Sequence, residues 1–295
     1  MRVNPNPYSD ILAALAQTQQ QINSDEQQIA SGMSVNLPSD NPAAAADLVQ
    51  NADQSSQADE FRRSIGSIQG EMQNADSTLN SVITSLQQAI SLGVEGANGT
   101  VNSADRAAII TQIQGIQSQL LSLANLSYQG NYVFSGTKTQ TTPYVLDPNS
   151  PSGVTYEGNT GVNSVTLGSH FTLQTNLPGS QLFSSSGTDM FQSIQDLITS
   201  LQSGTGIDAA VTEVSNASSS IDAQRVFYGN ALNQLTAQQT YLSTETTQLA
   251  QQQNTVGGAD LTAVISNLTT AQTSVQATLE AVGQTAHTNL FEYLK

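Results

Sequence analysis

A heptad repeat holds its register from Ile207 to Val256, and this constrains the fold more than any other feature of the chain. Ile207, Val211, Val214, Ser218, Ile221, Arg225, Tyr228, Leu232, Leu235, Gln239, Leu242, Thr246, Leu249, Gln253 and Val256 follow one another in alternating steps of four and three. Those steps average close to one helical turn, so every one of these residues lies on a single stripe. A register kept for so long belongs to a coiled coil or a long bundle rather than to an ordinary globular helix. Gly257-Gly258 ends it.

Shorter seams flank this one. From about Tyr8 to Ala30, Tyr8, Leu15, Ile22 and Ile29 recur with Leu12, Gln19 and Glu26 between them. This seam is half polar, and a helix built on it needs a partner. Ser31-Gly32 stops it, and Asn41 before Pro42 is a strong helix start. A second helix is expected from Pro42 to about Leu92, with Ile65, Ile68, Met72, Ala75, Leu79, Val82 and Leu86 as its seam and Gly93, Gly96 and Gly99 as its end. A third starts at Asn102 or Ser103 and carries Ile109, Ile113, Ile116, Leu120 and Leu123. These two read as an antiparallel pair. Phe191, Ile194 and Leu201 mark a further amphipathic piece. A last helix carries Leu261, Ile265, Leu268, Gln272, Val275, Leu279 and Val282, then Leu290.

Between Gly130 and Ser186 the period changes. Val165-Thr166-Leu167 and Phe171-Thr172-Leu173 alternate as strands do, which predicts β-hairpins. The expected fold is therefore mainly α and elongated. N- and C-terminal heptad helices pair in a coiled coil, long helices form a bundle core, and a small β-rich insertion lies in the middle. The expected domains are 1–40 plus 258–295 (terminal coiled coil), 41–129 plus 187–257 (helical bundle) and 130–186 (β-rich insertion). An apolar share of 37% suits an extended shape, which buries less per residue.

The chain offers little chemistry. It has no Cys, which excludes disulfides, thiolate metal sites and a Cys nucleophile. A net charge of −16 repels phosphate and anionic lipid, so neither nucleic acid nor a membrane is an expected partner. No apolar run approaches the roughly 20 residues that span a bilayer. Ala14-Leu15-Ala16 resembles a signal-peptidase site, but the flanks and the short apolar stretch fit a helix face better. His170 and His287 have no ligand at helical spacing, and the adjacent acids Asp25-Glu26 and Asp59-Glu60 read as solvated helix faces. Asn98-Gly99-Thr100 matches a glycosylation triplet of low specificity. No catalytic site and no cofactor are expected.

Specific residues then add a resemblance. Gln28-Ile29-Ala30-Ser31-Gly32, Val35-Asn36 and Pro38-Ser39-Asp40-Asn41-Pro42-Ala43 resemble the N-terminal signature of bacterial flagellins and hook-associated proteins. Asp105-Arg106-Ala107, Leu123-Ala124-Asn125 and the run Gly130-Asn131-Tyr132-Val133-Phe134-Ser135-Gly136-Thr137-Lys138-Thr139 are similar to the hook–filament junction branch of that group, as is Leu290-Phe291-Glu292-Tyr293-Leu294. Ser34 and Asn41 depart from it, standing where the group usually has Arg and Asp.

The resemblance implies a non-enzymatic structural subunit of the bacterial flagellum, joining hook to filament. It implies terminal helices that order on assembly. It also implies export through the flagellar type III apparatus without a cleaved signal, and an extracellular location. The implied partners are copies of the chain, a hook-side hook-associated protein, flagellin or other filament-side subunits, and an export chaperone at the C-terminal helix. The expected assembly interface is Leu12, Leu15, Ile22, Ile29, Leu261, Ile265, Leu268, Val275, Leu279, Val282 and Leu290. The expected signature loop is Ser31, Gly32, Asn36, Asp40, Asn41 and Pro42. The alternatives are a flagellin-like filament subunit and a secreted type III needle-tip or coiled-coil protein.

Overall fold

The computed structural model describes residues 7–168, 171–185 and 187–292, with side chains given from residue 9 to residue 283 within them. The order of elements is helix, strand pairs, helix. Helices α1 (Pro7–Ser31), α2 (Pro42–Ala97) and α3 (Ser103–Ala124) come first. Strands β1 (Ser127–Tyr128), β2 (Asn131–Tyr132), β3 (Tyr144–Leu146), β4 (Val154–Tyr156), β5 (Ser164–Thr166) and β6 (Thr172–Gln174) follow. A short helix α4 (Gly179–Phe183) leads to β7 (Ser184–Ser185) and β8 (Thr188–Asp189), and then to α5 (Met190–Ser203), α6 (Ile207–Gly257) and α7 (Leu261–Glu292). The mainly helical fold with small strand pairs in the middle is the one that the periodicity predicts.

The chain divides into two compact units, residues 58–243 and residues 1–57 with 244–295. In the first of these the seams of α2, α3 and α6 supply the core. Ile65, Met72, Leu79, Val82 and Leu86 of α2 pack in one cluster with Ile113 and Leu120 of α3 and with Val214, Ile221, Tyr228 and Leu235 of α6. Every seam position of α6 named above is buried or half-buried. Arg225 occupies one of them and turns its guanidinium out to Asp76 of α2, with Nε at 2.9 Å from Oδ1 and Nη2 at 3.1 Å from Oδ2. That two-pronged bond, and the neighbouring charges, hold Arg225 further on the charged side of its ordinary range.

Gly93 and Gly96 do not end α2, as their helix-breaking propensity suggests; the helix runs through both to Ala97. A Cβ on Gly93 would sit 2.6 Å from Val211 Cγ2, and one on Gly96 would run into Leu201. These glycines are therefore places where α5 and α6 approach closely, and that packing offsets their helical cost of ~1 kcal/mol each. Asn102 caps α3 as expected, accepting the N–H groups of Ala104 and Asp105 through its side chain.

The β part consists of four separate antiparallel pairs, β1–β2, β3–β4, β5–β6 and β7–β8. Val165 lies opposite Leu173, the hairpin that their alternation predicts. The Tyr132 to Thr139 segment is structural. Phe134 is fully buried and meets Phe183 edge to face. Its carbonyl accepts from the Tyr156 hydroxyl at 3.0 Å. Asn159 Oδ1 accepts the N–H of Thr137 at 2.8 Å and that of Gly161 at 3.1 Å. Asn125 clamps both backbone groups of Tyr144 at 2.8 Å each. The Tyr144 ring packs on Tyr156, Phe183 and Phe191, and its burial pushes the phenol pKa up.

Candidate assembly surface

The second unit, residues 1–57 with 244–295, is built on α1 and α7, which lie side by side. The loop after α1 fixes how they meet. Gly32 takes a left-handed φ of +70°, and its carbonyl accepts from Ala259 N–H at 3.0 Å. Met33 bridges Gly258, and Ser34 donates both its amide (2.7 Å) and its hydroxyl (3.2 Å) to the Gly257 carbonyl. The end of α1 is thereby joined to the start of α7, and the pair runs antiparallel.

The signature loop accounts for its own residues. Asp40 Oδ2 accepts the N–H of Asn36 at 3.0 Å and of Leu37 at 2.8 Å. Asn36 Nδ2 donates to Met33 O at 3.0 Å, and Ser31 Oγ accepts Met33 N–H at 3.1 Å. Asn41 Oδ1 caps α2 by accepting Ala44 N–H at 3.1 Å, with Pro42 as the first helical residue. A carboxylate accepting two amides makes the strong, charge-assisted kind of bond, which suits a residue organising a turn. Ser34, which departs from the group's Arg, holds the chain's own return at Gly257.

Each terminal helix buries one row that the heptads mark and exchanges the other. In α1, Leu15, Ile22 and Ile29 are buried or half-buried, and Ile11, Thr18 and Asp25 complete the inner face. Leu12 is 64% exposed. In α7, Leu268, Val275 and Val282 are half-buried, with Val264, Ala271 and Thr278 beside them. Ile265 and Leu279 are 51% and 54% exposed, while Val264 is 7% exposed. Leu261 is also exposed. The second row of each seam thus falls one residue earlier than the expected 12, 19, 26 and 265, 272, 279. Steps of four then three and three then four fit the same seven-residue repeat, and only the position of the partner helix selects between them. Leu290 and His287 lie in the stretch of α7 whose side chains are outside the described residues, as does the Tyr8 side chain of α1. His170 and Leu294 are outside the described residues altogether.

The consequence is that α7 carries two apolar faces. One packs on α1. The other presents Leu261, Ile265 and Leu279, and the two share Leu268, Val275 and Val282 along their border. No residue from 261 to 279 is charged, although the chain as a whole carries −16. The hydroxyls of Thr269, Thr270, Thr273 and Thr278 donate back to carbonyls of their own helix at 2.7–2.9 Å. Those four hydroxyl donors are therefore already satisfied within the helix.

Asp25 is a correction to the sequence reading, which placed it on a solvated face. It is 2% exposed on the inner side of α1. Gln21 Nε2 donates to its Oδ1 at 2.9 Å, while Oδ2 is buried with no hydrogen-bond partner among the described residues. Of the other pair, Asp59 is half-buried and bonds Arg62 at 3.2 Å.

Among the described residues no group of three or more His, Cys, Asp or Glu could hold a metal ion, and no helix is long and apolar enough to cross a membrane. Residues 4–139 match the bacterial flagellin N-terminal helical region. Relatives that match include proteins named flagellar hook-associated protein 3. That of Escherichia coli (strain K12) is 35% identical over 119 residues, which is 40% of this chain and 38% of the relative. The matched stretch thus spans well under half of the relative's length.

The fold is shared more widely. A putative flagellar hook-associated protein from Vibrio parahaemolyticus superposes with a TM-score of 0.68 at 22% identity, covering 74% of this chain and 99% of that one. The flagellar junction protein FlgL from Legionella pneumophila superposes with a TM-score of 0.54 at 15% identity, covering 61% and 95%.

Proposed function

We propose that this chain is a structural subunit of the bacterial flagellum, placed at the junction between hook and filament. Its terminal module, residues 1–40 with 258–295, is the part that joins copies to one another and to their neighbours above and below. One observation carries the reading most directly: α7 keeps a second, uncharged apolar face in water while its first face is taken by α1. A subunit carrying −16 meets copies of itself most easily where no charge has to be desolvated. Contacts between unlike faces of identical subunits close into rings or continue as helices, the geometry that a tubular junction requires. The names of a relative and of a structural neighbour, flagellar hook-associated protein 3 and flagellar junction protein, support this reading.

On this reading the subunit leaves the cell by type III export, and an export chaperone covers α7 until then. The absence of Cys is compatible with threading through a narrow channel. The hook-side neighbour is another hook-associated protein, and the filament-side neighbour is flagellin. The decisive experiment deletes the gene and examines the cells by electron microscopy. Hooks without filaments, with flagellin shed into the medium and filaments restored by the wild-type chain, support the proposal. Purified protein that elongates indefinitely on filament seeds would instead make it a filament subunit.

A further inference from the structure

The turn between α2 and α3 holds the one Asn-Gly pair in the sequence, Asn98-Gly99. The geometry points to Asn98 as a site of spontaneous deamidation, a chemical ageing site independent of the assembly role. The reaction needs the Gly99 amide nitrogen to reach the Asn98 side-chain carbon, and three observations favour it.

The turn lies outside both helices and is exposed, so water and hydroxide have access. Gly99 has open space where a Cβ would be, so nothing hinders ring closure. Most specifically, Asn98 Oδ1 accepts two hydrogen bonds from Thr100, from its N–H at 3.2 Å and its hydroxyl at 3.0 Å. Two donors on one carbonyl oxygen polarise the carbonyl carbon and stabilise the oxyanion that forms when it is attacked. They also fold the side chain back along the chain over the next peptide unit.

Other asparagines lack this combination. Asn41 precedes Pro42, which has no N–H to attack with, and Asn125 is clamped to Tyr144 through both side-chain atoms.

In the step itself the Gly99 nitrogen gives its proton to hydroxide and bonds to Asn98 Cγ. The Cγ–Nδ2 bond breaks and leaves as ammonia after taking up a proton. The resulting succinimide is opened by one water. Opening at Cγ gives aspartate, and opening at the backbone carbonyl gives isoaspartate, whose main chain is one methylene longer. No electron is gained or lost.

The isoaspartyl product displaces the Asn98 carbonyl, which accepts Val101 N–H at 3.0 Å. Val101 in turn accepts Arg106 Nη2 at 3.1 Å, so the start of α3 loosens as the protein ages.

The test holds the full chain in mildly alkaline buffer and follows it by peptide mass mapping and isoaspartyl methyltransferase labelling. A synthetic peptide of residues 94–103 runs alongside it. Conversion should begin at Asn98 and proceed at least as fast as in the peptide. Thr100→Val, an exposed substitution, should slow it several-fold, and Gly99→Ala should slow it further. First conversion at a different asparagine, slower conversion of Asn98 than in the peptide, or an unchanged rate in Thr100→Val would each overturn the inference.

Discussion

Ile265 and Val264 are chain neighbours on α7, the first exposed and the second buried, so the same substitution at each separates folding from assembly. Ile265 is 51% exposed and Leu279 54%, whereas Val264 is 7% exposed. Fully burying an Ile or Leu side chain yields ~1.5–3 kcal/mol. About half of that remains unrealised at Ile265 and at Leu279, or ~2 kcal/mol for the two together in each contact between copies. A loss of ~1.4 kcal/mol already weakens an association about tenfold. Asp adds a carboxylate that would have to leave water on contact, so Ile265→Asp with Leu279→Asp should weaken the contact by ~3 kcal/mol or more. In the free subunit both positions face solvent, and the same pair of changes should cost no more than ~0.5 kcal/mol each. Val264→Asp should do the reverse and open the α1–α7 pair, at ~3 kcal/mol or more.

The assay has two arms. Thermal melting by circular dichroism reads the free subunit, and swimming with electron microscopy of flagella reads incorporation. The expected pattern is a normal melt with no filaments for the Ile265→Asp, Leu279→Asp variant, and an altered melt for Val264→Asp. Normal swimming of the double variant would refute the assembly role of the outer face. An unchanged melt of Val264→Asp would refute the assignment of the inner one.

Three further outcomes follow from single residues. Asp25→Leu removes a buried carboxylate oxygen without a partner and should strengthen the α1–α7 pair by ~1 kcal/mol or more, read as slower amide hydrogen exchange in both helices; faster exchange would contradict the placement of Asp25. Asp40→Ala takes away the acceptor of two loop amides and should cost about 1–2 kcal/mol locally, so limited proteolysis between Gly32 and Pro42 should speed up, and an unchanged cleavage rate would count against the clamp. Burial raises the pKa of the Glu71 carboxyl, so the folded chain binds that proton more tightly than the unfolded chain. Its stabilising effect is complete below the ordinary carboxyl range and is lost as pH rises through the raised value. Glu71→Gln should therefore raise the melting temperature at neutral pH and flatten its fall between mild acid and neutrality, and an identical pH profile in the two proteins would rule that out.

Where a seam was mostly apolar, the sequence was enough. Ile65 to Leu86 of α2, Ile109 to Leu120 of α3 and the long row of α6 are buried as their spacing says, because no other face of those helices offers as much apolar surface. Asn41-Pro42 and Asn102 announced helix starts through their capping chemistry, and the alternation around Val165 announced a hairpin. The lack of Cys and the sparse charge already excluded most chemistry.

The tertiary structure decided what depends on a partner. In the half-polar seams of α1 and α7, two neighbouring rows fit the repeat equally well, and only the antiparallel pairing turned Val264 and Ala271 inward and Ile265 and Leu279 outward. Asp25 went inside because its position on that face left it nowhere else to go. Gly93 and Gly96 stayed helical because α5 and α6 press against them, a contact that propensity cannot see. Ser34 found its acceptor at Gly257, 223 residues along the chain. Local propensity and periodicity fix which residues share a face; which face is buried and which stays exposed is set by packing between segments far apart in sequence.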